Sequence, residues 1–275
     1  MGGHFKALTT IIKRFNSDGG MQMAASISYY ALMSLLPLLF ALINLFGYFV
    51  GRSPELHDAV VGYVKAVYPM MGATLTREIN RVMEHSRLGW VGIAVFLWLG
   101  SLVFSSMEYS MNVIFKTDMR RRYVVSKSLA IGMVAMCGIF LAASFWAAYI
   151  PPFFERHQNI IPASRAVRLM TRSFMSWAVS FVLTLATFTA IYKVLPKRRV
   201  PTVLALVGGL TAASLWEAAK YAFAWYINNL SVVGGVYGSL SAMVVFLLWI
   251  FYSSTILLLV AEMVFLLDEK RNGLN

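Results

Sequence analysis

The chain has 275 residues, of which 59% are hydrophobic and only 13% are charged. Soluble proteins carry about 25% charged residues. The single cysteine, Cys137, lies within an apolar run and cannot form a disulfide within the chain. This composition excludes a soluble enzyme, a disordered chain and a disulfide-stabilised fold. It predicts an all-α, polytopic membrane protein.

Apolar runs of membrane length recur along the chain. A spanning helix needs about 20 apolar residues, and six runs reach that length. The predicted spans lie at about 24–50, 89–113, 128–150, 174–195, 202–227 and 239–266. Together they form a six-helix transmembrane domain over 24–267, preceded by a cytoplasmic segment at 1–23 and followed by a cytoplasmic tail at 268–275.

The basic residues favour one orientation of these spans. Two dense clusters lie in connections on the same side as both termini, whereas the last connection on the opposite side has no Lys or Arg. Both termini should therefore be cytoplasmic. Insertion alone accounts for the formal net charge of +12, so we expect no nucleic-acid partner. The clusters are also candidate contacts for anionic lipid headgroups: Arg120, Arg121, Arg122, Lys197, Arg198 and Arg199.

Three segments outside the spans are amphipathic. Residues 4–15 predict a helix lying on the cytoplasmic surface, and the first periplasmic loop, 51–88, carries two further amphipathic stretches. A helix that begins at Ser164 and continues into the fourth span brings three arginines onto one face. This arginine stripe is either a lipid-headgroup site or a solvated face: Arg165, Arg168 and Arg172.

Four ionisable residues fall within predicted spans, where charges are costly and usually face a bundle interior or a cavity. Glu217 and Lys220 are three residues apart and share a helix face, so they form either a structural ion pair or a substrate or proton site. Glu108 and Glu262 lie nearer the cytoplasmic ends of their helices, where a carboxylate that reaches water is the simpler interpretation.

Sequence motifs of soluble enzymes are absent. The four histidines are scattered, and there is no H-E-x-x-H motif, Cys/His cluster or phosphate-binding loop. We therefore expect no catalytic residue, metal site or cofactor, and no enzymatic activity of the chain's own. Polar residues precede Pro37 in the first span, which predicts a kink, and Gly208 and Gly209 belong to a small-residue face of the fifth span that favours close packing.

Several strings are specific enough to indicate a family. AASISYYALMSLLPLL (24–39), MNVIF (111–115), YKVLP (192–196), VYGSLSAMVVFLLWIFYSS (236–254) and AEM (261–263) resemble the YihY/virulence factor BrkB family of bacterial inner-membrane proteins, over nearly the whole chain. Val260 stands where the family usually has Gly. The motif positions carried over are Tyr29, Tyr30, Ser34, Pro37, Asn112, Pro196, Tyr237, Gly238, Trp249 and Glu262.

The resemblance implies a multi-pass protein of the bacterial inner membrane that acts in envelope biogenesis. Links of some family members with lipid transport suggest that it handles anionic lipid, together with periplasmic envelope-transport proteins. The alternative is a non-transporting scaffold for an envelope complex. The family's older ribonuclease label is a weaker alternative, because a nuclease needs metal ligands or an acid/base pair in a water-accessible pocket. The sequence leaves the oligomeric state open.

Overall fold

The computed structural model describes residues 2–52, 89–117, 125–126, 128–133, 136, 165–229 and 241–273. Within these ranges the ordered structure is helical and contains no strand, which confirms the all-α class. The described residues form six long helices, which are in chain order α1 Gly2–Ser17, α2 Gly20–Arg52, α3 Gly89–Ile114, α4 Arg165–Val194, α5 Thr202–Asn229 and α6 Ser241–Arg271.

Three of these helices contain segments long and apolar enough to cross a membrane, within the residues described. The segments are Trp177–Val194, Thr202–Ile227 and Met243–Arg271. Large apolar side chains on α5 face outward, with Val203 67%, Tyr221 69% and Trp225 68% exposed. Lipid is the solvent that accommodates such an outward face, because acyl chains are as apolar as these side chains.

The helix bounds agree with most of the predicted elements. The helix expected at 4–15 is α1, and the helix expected to start at Ser164 begins at Arg165 and continues without a break to Val194. α6 differs from the prediction, because it continues to Arg271 and so includes the start of the predicted tail. Most of the predicted span at 128–150 and the loop residues 53–88 lie outside the described residues, as do Tyr237 and Gly238.

One compact unit comprises residues 1–29 and 103–275. In it α4 packs against α5, α5 packs against α6, and α1 packs against α6. The core between the helices is built from large buried side chains, which include Tyr192, Phe115, Phe265, Met111 and Leu258. The Tyr192 hydroxyl donates a 3.0 Å hydrogen bond to the carbonyl oxygen of Leu257 and so joins α4 to α6.

The second unit comprises residues 30–102 and includes most of α2 and the first half of α3. Pro37 lies inside α2 and cannot donate to the carbonyl of Met33. The Ser34 hydroxyl donates to the carbonyl of Ala31 at 2.8 Å, so it does not take the place of the missing donor. In α1 of the first unit, Phe15 is buried in the core, while Leu8 and Ile12 of the same apolar face are exposed, and the position of α1 on the cytoplasmic surface stays a prediction.

Two adjacent glycines allow α5 to approach both of its neighbours. A Cβ atom on Gly208 would lie 2.4 Å from a methyl of Val264 on α6 and 3.2 Å from the Tyr192 ring on α4. A Cβ atom on Gly209 would lie 2.1 Å from Thr189 Oγ1 and 3.2 Å from the carbonyl oxygen of Leu185. The small-residue face predicted in the fifth span is therefore a packing face.

We expect Gly209→Ala to destabilise the protein by about 1–3 kcal/mol, because the added methyl group meets the α4 backbone as well as the Thr189 side chain. Gly132→Ala is the matched control, since no atom of the described residues lies within 4 Å of a Cβ atom there. Thermal unfolding in detergent measures both. Equal unfolding midpoints for the two variants would contradict close packing at Gly209.

Candidate functional site

A cluster of charged side chains surrounds the C-terminal end of α6. The helix carries three carboxylates there, and two of them are almost completely buried: Glu262 is 0% exposed and Asp268 is 2% exposed. Glu269 follows in the same last turn. An isolated buried charge is strongly destabilising, so the neighbouring cations decide whether this end of the helix can pack at all.

Two ion pairs connect the last turn of α6 to distant parts of the chain. Arg198, in the segment between α4 and α5, lies 2.8 Å from Asp268. Arg14 of α1 lies 2.6 Å from Glu269. Both guanidinium groups also flank the ring of Phe265, at 5.9 Å for Arg14 and 5.5 Å for Arg198. The α6 end is thus joined to α1 on one side and to the 195–200 segment on the other.

A third ion pair, between Lys116 and Asp18, joins the end of α3 to the turn between α1 and α2. Gly19 ends α1 with a φ of 73°, a conformation that glycine adopts without a steric penalty. In that turn the Cβ position of Gly20 lies 2.3 Å from the Phe15 ring, so the chain reverses tightly against its own aromatic residue. This turn presents Asp18 to Lys116.

Lys116 itself has a left-handed backbone conformation, with a φ of 51°. The Thr117 N–H donates to the Asn112 carbonyl at 2.9 Å, and the Lys116 N–H donates to the Val113 carbonyl at 3.1 Å. This is the helix-ending pattern in which glycine is usual at the position of Lys116. The lysine side chain bonds Asp18, which gives a reason for a strained residue at that position.

Asn112 holds the segment that carries Arg198. Its side-chain oxygen accepts a 3.1 Å hydrogen bond from the backbone N–H of Lys197. Lys193 closes the same segment, because its Nζ donates to the carbonyl of Val200 at 2.6 Å. Pro196 is buried between these two contacts. The motif positions Asn112 and Pro196 therefore lie beside the charged cluster.

Glu262 differs from the other carboxylates in the cluster. Both of its oxygens are buried, and neither receives a hydrogen bond from any residue that the structure describes. The charged groups that act on it are Asp18, Lys116 and Arg14. Two of these are cations, but each is already bonded to a different carboxylate.

The predicted intramembrane pair on α5 lies away from this cluster. The Nζ of Lys220 is 2.7 Å from Oε1 of Glu217. The spacing of three residues therefore does bring the two groups together, and their role stays a prediction. Beside them the motif residue Trp249 packs against two aromatic rings of α5, with ring centroids 5.1 Å from Trp216 and 4.9 Å from Phe223.

The remaining predicted site residues are dispersed. Glu108 is buried and accepts a hydrogen bond from the hydroxyl of Ser126, so it is not the wet carboxylate that its position suggested. Arg198 contacts Asp268, whereas Arg199 is exposed and Lys197 is half-buried. The arginine stripe begins α4, but its side chains lie outside the described residues, as does the whole cluster Arg120, Arg121 and Arg122.

Five residues of the charged cluster were not predicted as site residues: Arg14, Asp18, Lys116, Asp268 and Glu269. Their signal in the sequence was a charge immediately outside an apolar run, which membrane insertion explained for the two cations but not for the three carboxylates. Within the described residues, no group of three or more His, Cys, Asp or Glu side chains could hold a metal ion. The cluster joins helix ends by charge pairing, and it leaves one carboxylate unpaired.

Long apolar helices with outward-facing apolar side chains define this protein as a helical integral membrane protein. Residues 11–275 match the family model described as Virulence factor BrkB, and the chain belongs to that family. The resemblance that the sequence motifs indicated is therefore confirmed.

Similar proteins carry the name UPF0761 membrane protein. One from Alkalilimnicola ehrlichii is 28% identical over 92% of this chain and 56% of its own length, and one from Azotobacter vinelandii is 28% identical over 95% and 63%. A third, from Psychromonas ingrahamii, is 26% identical over 96% and 88%. The chain thus spans less than two thirds of the first two relatives. No solved structure matches it.

We expect Arg198→Gln to cost about 3 kcal/mol of stability, because it leaves the buried Asp268 carboxylate without its cation. The double variant Asp268→Asn with Arg198→Gln should lose less unfolding free energy than the sum of the losses of the two single variants. Arg199→Gln, at the exposed neighbouring position, is the control and should change stability by no more than about 0.5 kcal/mol. Additive losses in the unfolding free energies would contradict the pairing.

Proposed function

We propose that this protein crosses the bacterial inner membrane six times with both termini in the cytoplasm, and that it handles anionic lipid in envelope biogenesis without catalysis or ATP hydrolysis of its own. Three segments of membrane length support the multi-pass part of the proposal. The dense basic connections on one side of the predicted spans support the orientation.

The ion pair on α5 is the observation that carries the lipid part of the proposal. Glu217 and Lys220 lie within the membrane-length segment Thr202–Ile227. Counting 1.5 Å per residue from Thr202, the pair is roughly 22–27 Å along the helix. The Lys220 side chain is 39% exposed although its partner Glu217 is 11% exposed. An accessible cation at that depth suits an anionic ligand, and a lipid phosphate would compete with Glu217 for it.

The start of α4, which carries the arginine stripe, lies toward the Lys220 end of α5. Lys220 is eleven residues after Gly209, so the two residues point in directions only about 20° apart around the α5 axis. Gly209 faces α4, because a Cβ atom on it would contact Thr189. α4 and α5 are antiparallel, because Gly208 approaches Tyr192 and Gly209 approaches Thr189. Measured along the two helix axes, the backbone of Arg172 therefore lies on the order of 10 Å beyond Lys220. A lipid headgroup held by the stripe would be next to the Lys220 end of this interface.

A scaffold without transport activity is the second candidate. Its support is that Glu217 and Lys220 neutralise each other, while Trp216, Phe223 and Trp249 pack into one aromatic group beside them. In a scaffold the pair serves packing only, and no lipid needs to reach Lys220.

Accessibility of introduced cysteines tests the orientation. In a Cys137→Ser background, Val60→Cys, Ile160→Cys and Val233→Cys should react with a membrane-impermeant thiol reagent added to the periplasm. Arg120→Cys and Arg199→Cys should not react, because the proposed topology places both in the cytoplasm. Arg199 is preferred to its neighbour Arg198, which is engaged by Asp268. The reverse labelling pattern would overturn the orientation.

Lipid co-purification in mild detergent tests the lipid role. Arg165→Gln, Arg168→Gln and Arg172→Gln combined should lower recovery of anionic lipid, as should Glu217→Gln with Lys220→Met. A hydrogen bond to a charged group contributes about 1.5–3 kcal/mol, so each lost contact weakens binding about tenfold or more. The neutral double change on α5 removes the ligand's cation without leaving an unpaired charge.

Lys270→Gln with Arg271→Gln is the matched control, because it removes exposed cations at the far end of α6. Recovery should be unchanged in this variant. Unchanged anionic lipid recovery in both test variants, at normal expression and insertion, would reject lipid handling. It would leave the scaffold as the better proposal.

A further inference from the structure

Glu262 occupies an environment in which a lone carboxylate is strongly unfavourable. Its exposure is 0%, and both oxygens lack a hydrogen-bond donor among the residues described. Removing an ionised carboxylate from water without compensation costs far more than the stability of an ordinary domain can absorb. A positive charge must therefore accompany Glu262 when this end of α6 is packed.

The neighbouring cations cannot supply that charge without leaving another carboxylate unpaired. Arg14 is bonded to Glu269, Lys116 to Asp18, and Arg198 to Asp268. The described cluster thus contains three cations for four carboxylates. Among the described residues of this cluster, Glu262 is the carboxylate to which no cation is bonded.

Asp18 is the acidic residue that acts on Glu262, both through its charge and through a side-chain hydrogen bond. Two ionised carboxylates cannot hydrogen-bond to each other, because both are acceptors. They come together stably only around a positive charge, which can be a shared proton or a small cation. No third His, Cys, Asp or Glu joins them within the described residues, so a divalent ion would bring one positive charge too many. A single charge fits the deficit of one.

We propose that Asp18 and Glu262 together bind one monovalent cation, a proton or an alkali-metal ion, which supplies the positive charge that the cluster lacks. This cation joins the turn between α1 and α2 to α6. Its loss leaves a buried unpaired charge at the α1–α6 contact and weakens that contact. The proposal does not rest on lipid handling, and its test does not measure lipid.

The test uses the full-length protein in mild detergent, with the thermal unfolding midpoint as the readout. In one arm the pH is raised in choline chloride at constant ionic strength. In the other arm choline is replaced by sodium or potassium at fixed pH. A proton at the site predicts a midpoint that falls as pH rises, whereas an alkali-metal ion predicts a midpoint that rises when choline is replaced. The shift should be on the order of 5 °C.

Glu262→Gln should abolish the response, because a neutral amide needs no cation at any pH or salt composition. Asp18→Asn is the second variant and should also reduce the response, whether or not Glu262→Gln accumulates. Lys270→Gln is the matched control, since it removes an exposed charge at the same helix end and leaves the cluster's three cations and four carboxylates unchanged, and it should respond as the original protein does. Two results would overturn the proposal: no response in the original protein, or the same response in Glu262→Gln and Asp18→Asn.

Discussion

Asp268 and Glu269 occupy the last turn of α6, and each is bonded to an arginine from a different part of the chain. These bonds bring together α1, α6 and the segment between α4 and α5. For the buried Asp268 such pairing is obligatory, because a buried charge without a partner costs more than a helix contact provides. Much of the packing in the first compact unit therefore depends on charge neutrality at this helix end, in addition to the burial of Phe115 and Phe265.

The same constraint explains a backbone feature that local preference would not produce. Lys116 adopts a left-handed conformation, which costs about 1–2 kcal/mol for a residue other than glycine. A glycine there would remove the strain but also the cation for Asp18. The strained lysine is compatible with the fold because its side chain contributes a tertiary contact that glycine cannot make.

Apolar length predicted the helices well, since the bilayer fixes how many apolar residues a span needs. The start of α5 followed from the sequence for that reason, whereas the start of α4 was predicted near Ser164, outside the apolar run, and the packing role of Gly208 and Gly209 followed from the small residues of the fifth span. The charged cluster did not, because its members are far apart in the chain: Arg14 and Glu269 are 255 positions apart. A single sequence gives no distance between them. Arg198 was predicted to contact lipid headgroups because basic residues beside membrane spans commonly attract them. Its pairing with Asp268 is visible only in the folded structure.

The two unusual polar features of the first unit lie toward opposite ends of α5. A Cβ atom on Gly208 would contact Val264, two residues after Glu262, whereas Lys220 is about three turns further along the helix, or roughly 18 Å. Buried residues between the two levels include the apolar Leu258 and Ala212 and the polar Ser254. No chain of polar groups is described between them, so neither feature neutralises the other. α5 packs against both α4 and α6. Glu262 is on α6 and Lys220 is on α5. A change in the packing of α6 that follows from cation binding at Glu262 would therefore reach Lys220 through the contact between these two helices.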